Sequence, residues 1–136
     1  FQLPRRFEAN HQRLADFLHL LPPSHRYAFE FRHESWWDAR IFALLRDFDV
    51  ALCIGDHHDA PSPWETTASF AYVRAHGPTG RYHGNYPDAT LAAWAQTIRS
   101  WRRRGRDAYV YFDNDVKSAA VADARRLEQA LGRNRR

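Results

Sequence analysis

Apolar residues along this chain follow two alternating rhythms. Four short runs of strand character end in charged or polar residues: Tyr27 to His33, Val50 to Asp56, Phe70 to Gly77 and Ala108 to Asp115. Other apolar residues recur at helical spacing. Phe7, Leu14, Phe17, Leu18 and Leu21 predict a first helix, stopped by Pro22-Pro23. Trp37, Ile41, Leu44, Leu45 and Phe48 predict a second, opened by a capping-box pattern at Ser35-x-x-Asp38. Leu91, Trp94, Ala95, Ile98 and Trp101 predict a third, with Gly105 just past its end. Ala120, Ala124, Leu127 and Leu131 predict a fourth, closed by Gly132. Phe1 to Leu3 reads as the end of one more strand.

Strict alternation of strand and helix predicts a parallel sheet with right-handed crossovers. The strand faces narrow the architecture. Phe29 and Phe31 alternate with Ala28, Glu30 and Arg32; Ala71, Val73 and Ala75 with Tyr72, Arg74 and His76; Val110 and Phe112 with Tyr109, Tyr111 and Asp113. A doubly wound sheet, covered on both faces, is apolar on both. A barrel has one face toward helices and one toward a filled interior, with charge gathered at the mouth. The expected class is therefore α/β and TIM-barrel-like. Five strands do not close an eight-stranded barrel, so residues 1–136 are expected to form a single domain that is part of a barrel. The absence of Met and the opening Phe1-Gln-Leu-Pro4 point the same way, to a piece of a longer protein.

Charge and cysteine usage limit the partners. The formal net charge is +4, and Lys117 is the only lysine among 20 basic residues. The arginines are spread along the chain, with clusters only at Arg102-Arg103-Arg104 and in the Arg133–Arg136 tail. Nucleic-acid binding through those clusters stays open as an alternative function. Cys53 is the only cysteine and lies in an apolar run, so a disulfide framework is excluded and a small buried side chain is expected. No apolar stretch approaches the roughly 18 residues of a membrane span, and a cytoplasmic protein is expected.

Chemistry is expected at the C-terminal strand ends. Glu30 and Arg32 share one side of their strand, as do Arg74 and His76 of theirs. Glu30, His76 and Asp113 are the candidate catalytic residues, with His76 the general acid/base because its ordinary pKa lies near neutrality. Gln2, Arg32, Arg74, Tyr82 and Asn114 are candidate substrate-binding residues. The two guanidiniums suit a phosphate or carboxylate. The competing reading is purely structural: Glu30 and Asp113 pair with Arg32 and Arg74 because unpaired buried charges are costly. Asp56-His-His-Asp59 is rich in metal ligands, and Asp56 is its best single candidate for a divalent metal. Trp64, in a Pro-flanked loop, either stacks on a ligand ring or covers an edge of the fold.

Three segments in this order add a family resemblance. Glu30-Phe-Arg-His-Glu-Ser-Trp36, Tyr72-Val-Arg-Ala-His-Gly77 and Tyr109-Val-Tyr-Phe-Asp-Asn-Asp115 resemble the signature of the YecE-like family, domain of unknown function 72. The opening Phe-Gln-Leu-Pro is similar to that family's fourth strand. The resemblance covers nearly the whole chain. It implies strands four to eight of a TIM-barrel-like fold, with strands one to three absent. Two positions depart from the family pattern: Glu34 stands where the family has Pro, and Asp113 where it often has Asn. The family has no established activity, so the resemblance speaks to fold and site position.

The expected function is an enzyme, a hydrolase or isomerase, acting on a phosphorylated or otherwise anionic small molecule. The alternatives are a nucleic-acid binding or processing protein and an inert fragment of such a barrel. Alone, the chain is expected to self-associate through open strand edges and an uncovered inner face.

Overall fold

Strand and helix rhythms resolve into one parallel sheet. A computed structural model describes residues 1–132, and the Arg133–Arg136 cluster lies outside the described residues. The strands are β1 (Ala28–Phe29), β2 (Ala51–Gly55), β3 (Phe70–Ala75) and β4 (Asp107–Phe112), paired in sequence order and all parallel. The helices are α1 (His11–His19), α2 (Ala39–Asp47), α3 (Asp88–Arg103) and α4 (Ala119–Leu131). Gln2 forms a parallel bridge to Glu30 beyond β1, supported by Leu3 N–H to Glu30 C=O at 2.9 Å and Glu30 N–H to Phe1 C=O at 2.8 Å. The opening residues thus lie along the outer edge, where a further strand was expected.

The helices pack on one face. Leu14 and Leu18 of α1 and Ile41 and Leu45 of α2 share a buried cluster with Phe29, Phe31 and Leu52. Leu91 and Ile98 of α3 and Leu127 of α4 share another with Ile54, Ala71 and Val73. Full burial of each such aliphatic or aromatic side chain is worth roughly 1.5–3 kcal/mol, which makes this face the source of most apolar stabilisation. The opposite face has only a small cluster, Ala51, Ala68 and Phe70 with Ala28 and Tyr72 against it. Tyr109 and Tyr111 on that face remain 38% and 49% exposed. No helix among the described residues is long and apolar enough to cross a membrane.

Three local expectations fail for identifiable reasons. The α2 N-cap is Asp38, whose carboxylate accepts from Arg40 N–H at 2.7 Å. Ser35 caps nothing; its hydroxyl accepts from Ala9 N–H at 2.8 Å, and Glu34–Trp36 makes a single 3₁₀ turn. Trp37 therefore precedes the α2 stripe. Its neighbour Trp36 is the buried one, stacked on Phe31 with centroids 4.3 Å apart and donating from Nε1 to Phe7 C=O at 2.7 Å. Asn10 caps α1 by accepting from Arg13 N–H, which leaves Phe7 outside the helix. Gly105 does follow α3 in the left-handed region, at φ 77°.

Candidate functional site

Sheet register brings the strand-end residues to one place. Gly55 of β2 is opposite Arg74 of β3, and Arg74 is opposite Tyr111 of β4. Asp113 N–H continues the β3–β4 ladder to Ala75 C=O at 2.8 Å, which sets its side chain beside Arg74. Glu30, just past β1, is joined to the outer edge through Gln2. Alternation then turns Glu30, Arg32, Arg74, His76 and Asp113 to the face without helices.

These five residues and Gln2 form one network. Arg32 donates from Nε to Glu30 Oε1 at 2.5 Å, and its Nη2 also pairs with Glu30. Arg74 donates from Nη1 to Glu30 Oε2 at 2.5 Å and to Gln2 Oε1 at 3.0 Å, and from Nη2 to Asp113. Burial opposes the charge on Arg74, but Glu30 and Asp113 outweigh it and raise the guanidinium pKa. Glu30 and Arg32 are 6% and 7% exposed, and their pairing compensates the burial of both charges. Among the described residues, Arg32 Nη1 and Arg74 Nε take no hydrogen-bond partner.

His76 is fully buried at the head of this network. Its backbone N–H donates to Asp56 Oδ1 at 2.7 Å, and the same oxygen lies 3.2 Å from Nδ1. A carboxylate there favours the proton on Nδ1 and leaves Nε2 as the acceptor. Nε2 faces Arg32 Nη2 at 3.4 Å, Asp113 Oδ2 at 3.8 Å and Glu30 Oε1 at 3.9 Å. Tyr82 covers the ring edge-on, with centroids 5.2 Å apart. Its loop closes tightly: a Cβ on Gly80, at φ 69°, would lie 2.4 Å from both Asp56 O and His58 N, so only glycine fits.

Asn114 leaves the site. Its side chain turns to the helix side, donating to Gly84 C=O at 2.7 Å and to Asp123 Oδ2 at 2.8 Å. Strand alternation opposes it to Asp113, so a substrate-binding role does not fit its position. Asp56 also differs from expectation. Its two oxygens are engaged by His76 and Tyr86, which makes it a partner of His76 rather than an open metal ligand. The one group among the described residues with three potential metal-ligating side chains close together is His57, His58 and Asp59, whose donor atoms lie within 4.8 Å of one another. Asp59 is already paired with Arg5 at 3.0 Å and with His58 at 3.1 Å, and burial lowers the His57 pKa to about 4. Trp64 stacks beside Trp94 and Trp101 on the helix side, away from the network.

Two residues near the site have no role assigned from the sequence, although Tyr86 falls on the loop after the Arg74 strand. Tyr86 donates its hydroxyl to Asp56 and accepts from Gly77 N–H at 2.7 Å. Asp123 is fully buried on α4. The signal for Asp123 was present: it stands three residues after Ala120 and four before Leu127, a carboxylate on an apolar stripe. Cys53 lies beneath the network, 3.9 Å from Glu30 Oε2, and borders a cavity of about 280 Å³ with Phe1, Gln2, Ala28, Glu30, Tyr72 and Arg74.

Solved structures share this fold. A DUF72 family protein from Enterococcus faecalis V583 superposes with a TM-score of 0.85 at 17% identity, covering 99% of this chain and 58% of that one. A DUF72 family protein from Thermotoga maritima MSB8 gives 0.83 at 26% identity, covering 97% of this chain and 56% of that one. The chain thus spans less than two thirds of the structures it matches. No curated protein matches the sequence. A family model described as protein of unknown function DUF72 matches residues 1–136, and the chain belongs to that family.

Proposed function

We propose that this chain carries the acid–base part of an active site in a TIM-barrel-like enzyme, a hydrolase or isomerase acting on a phosphorylated or otherwise anionic small molecule. The observation that carries the proposal is the orientation of His76, with Nδ1 held by Asp56 and Nε2 directed at Arg32, Glu30 and Asp113. A buried imidazole so oriented is suited to take a proton at Nε2. The unpartnered edges of Arg32 and Arg74 would receive the anionic group, and Tyr82 would close over it. Glu30 and Asp113 would hold the guanidiniums and take part in proton transfer.

The barrel belongs to the same proposal. One-sided helix packing, an uncovered face bearing Tyr109 and Tyr111, and matches to chains of greater length support strands four to eight of a TIM-like barrel. The site would then sit at the C-terminal mouth, where barrel enzymes place theirs. The nucleic-acid alternative rests on Arg102-Arg103-Arg104, exposed at the end of α3, and a salt titration of duplex binding by the full-length protein separates it from the first reading.

The test is an assay of the full-length protein against a panel of sugar phosphates and other phosphomonoesters, wild type beside His76→Gln. Turnover of one member, reduced roughly 10²–10⁴-fold by His76→Gln, is expected of a general base. Absence of both turnover and calorimetric binding across the panel would remove the anionic-substrate reading.

A further inference from the structure

We propose that Tyr86 is a positioning residue for His76, acting through Asp56. The inference rests on the reading of His76 as the proton acceptor and names what keeps it in that state.

The contacts form a chain from helix to site. Tyr86 is 3% exposed, and its hydroxyl donates to Asp56 Oδ2 while accepting from Gly77 N–H at 2.7 Å. Asp56 Oδ1 takes the His76 backbone N–H at 2.7 Å and lies 3.2 Å from Nδ1. Both carboxylate oxygens of Asp56 therefore have donors, and its plane is fixed against the imidazole. A carboxylate held this way keeps the proton on Nδ1, so that Nε2 presents its lone pair to the strand-end network. Without the Tyr86 hydroxyl, Oδ2 is left with no donor and the carboxylate is free to turn.

Tyr86 is itself held from two sides. Its ring packs on Trp94 and Phe112, at 4.9 and 5.9 Å between centroids. Its backbone N–H donates to Asp123 Oδ2 at 3.0 Å, and its carbonyl accepts from Arg126 Nη1 at 2.9 Å. Asp123 also accepts from Asn85, Asn114 and Arg126. Burial pushes the Asp123 carboxyl up, but these donors outweigh it and hold it below the ordinary range. Burial, followed by the Asp56 contact, raises the Tyr86 pKa, so the phenol stays a donor at neutral pH. The remaining groups that face His76 are Arg32, Glu30, Asp113, His57 and Tyr82.

The test uses full-length protein labelled with ¹⁵N at histidine, and it needs no substrate. Imidazole ¹⁵N shifts distinguish the two neutral tautomers. In the wild type, His76 is expected in the Nδ1–H form. In Tyr86→Phe the ratio of Nδ1–H to Nε2–H should fall roughly fivefold or more, the value of one hydrogen bond. A folded Tyr86→Phe protein that loses stability but keeps the wild-type ratio would overturn the proposal, because Tyr86 would then be structural only. If Tyr86→Phe does not fold, 3-fluorotyrosine at position 86 keeps shape and hydroxyl while strengthening the donor. It should lower the Nδ1–H to Nε2–H ratio of His76, since Asp56 then accepts less strongly from Nδ1–H; an unchanged ratio overturns the proposal. Neither result depends on turnover, so failure here is distinct from failure of the substrate panel.

Discussion

Arg74 reaches across β2 to Glu30, with Nη1 2.5 Å from Oε2. The span is possible because β2 offers Gly55 opposite Arg74 and Cys53 beneath, rather than large side chains. The two partners differ in burial, with side chains 26% and 8% exposed. That asymmetry sets an order of mutational cost. Glu30→Ala leaves buried Arg32 without its counter-ion, a change that typically costs about 3–5 kcal/mol. Arg74→Met removes a partly exposed charge and leaves Glu30 its bond to Arg32, so its cost should be smaller. Urea unfolding of the two variants gives the comparison. Equal losses would mean that burial does not govern this network.

The parity of the strands was readable from the sequence, and parity brought Glu30, Arg32, Arg74, His76 and Asp113 together. Alternation is a local property, and one buried face suffices to express it. The same rule, applied to Asn114, sends it to the helix side; treating all strand-end polar residues alike hid this. Ser35 and Asp38 both suit an N-cap, and the choice was made by tertiary contact, since Ala9 N–H takes the Ser35 hydroxyl. Trp36 against Trp37 was decided the same way, by the Phe31 ring. Tyr86 and Asp123 were not assembled because their partnership spans 37 residues and no local pattern links them.

The pH dependence of stability should carry a signature of His57. Burial, then the nearby Arg32 and His76, lower its pKa from 6.5 to about 4. Above pH 6.5 the ring is neutral in both folded and unfolded chains and contributes no slope. Between about 6.5 and 4 the unfolded chain binds a proton that the folded chain does not, so stability falls as pH falls. His57→Gln removes that component. Urea midpoints at pH 7 and pH 5 should therefore lie closer together in the variant than in the wild type. An identical difference in the two proteins would show His57 to be solvated.

Cys53 should be unreactive while the chain is folded. Burial, reinforced by the Glu30 charge, pushes its thiol up to about 12. The thiolate is the nucleophile, so alkylation at pH 8 has almost no reactive form to act on. Mass spectrometry after iodoacetamide treatment should show no adduct in native protein and full labelling in urea. Stoichiometric native labelling would place the thiol in solvent and contradict the packing under the network.

The chain alone should self-associate. Tyr109 and Tyr111 leave apolar surface on the uncovered face, and Phe1 is 55% exposed at the edge. The outer edge beside β1 carries only the short Phe1–Leu3 segment. Open edges and apolar faces are pairing surfaces for further copies. Sedimentation velocity across a concentration series should show species larger than the 16.0 kDa monomer. A monomer at all concentrations that unfolds cooperatively would count against this expectation.

Anion binding is the most direct test of the site. Arg32 and Arg74 each give part of the guanidinium edge to Glu30 and keep other donors without partners among the described residues. If an anion takes those donors, replacing either arginine by Ala should weaken binding by roughly 1.5–3 kcal/mol, the usual worth of a hydrogen bond to a charged group. Arg32→Lys or Arg74→Lys should recover only part, since an ammonium lacks the planar fork that meets two oxygens at once. Both effects should shrink as salt rises, more for partly exposed Arg74 than for buried Arg32. Calorimetry with inorganic phosphate and sugar phosphates on the full-length protein reads all of this. Equal affinity in wild type and both Ala variants would assign the two arginines to holding Glu30 and Asp113 in place, and the anion would have to bind elsewhere.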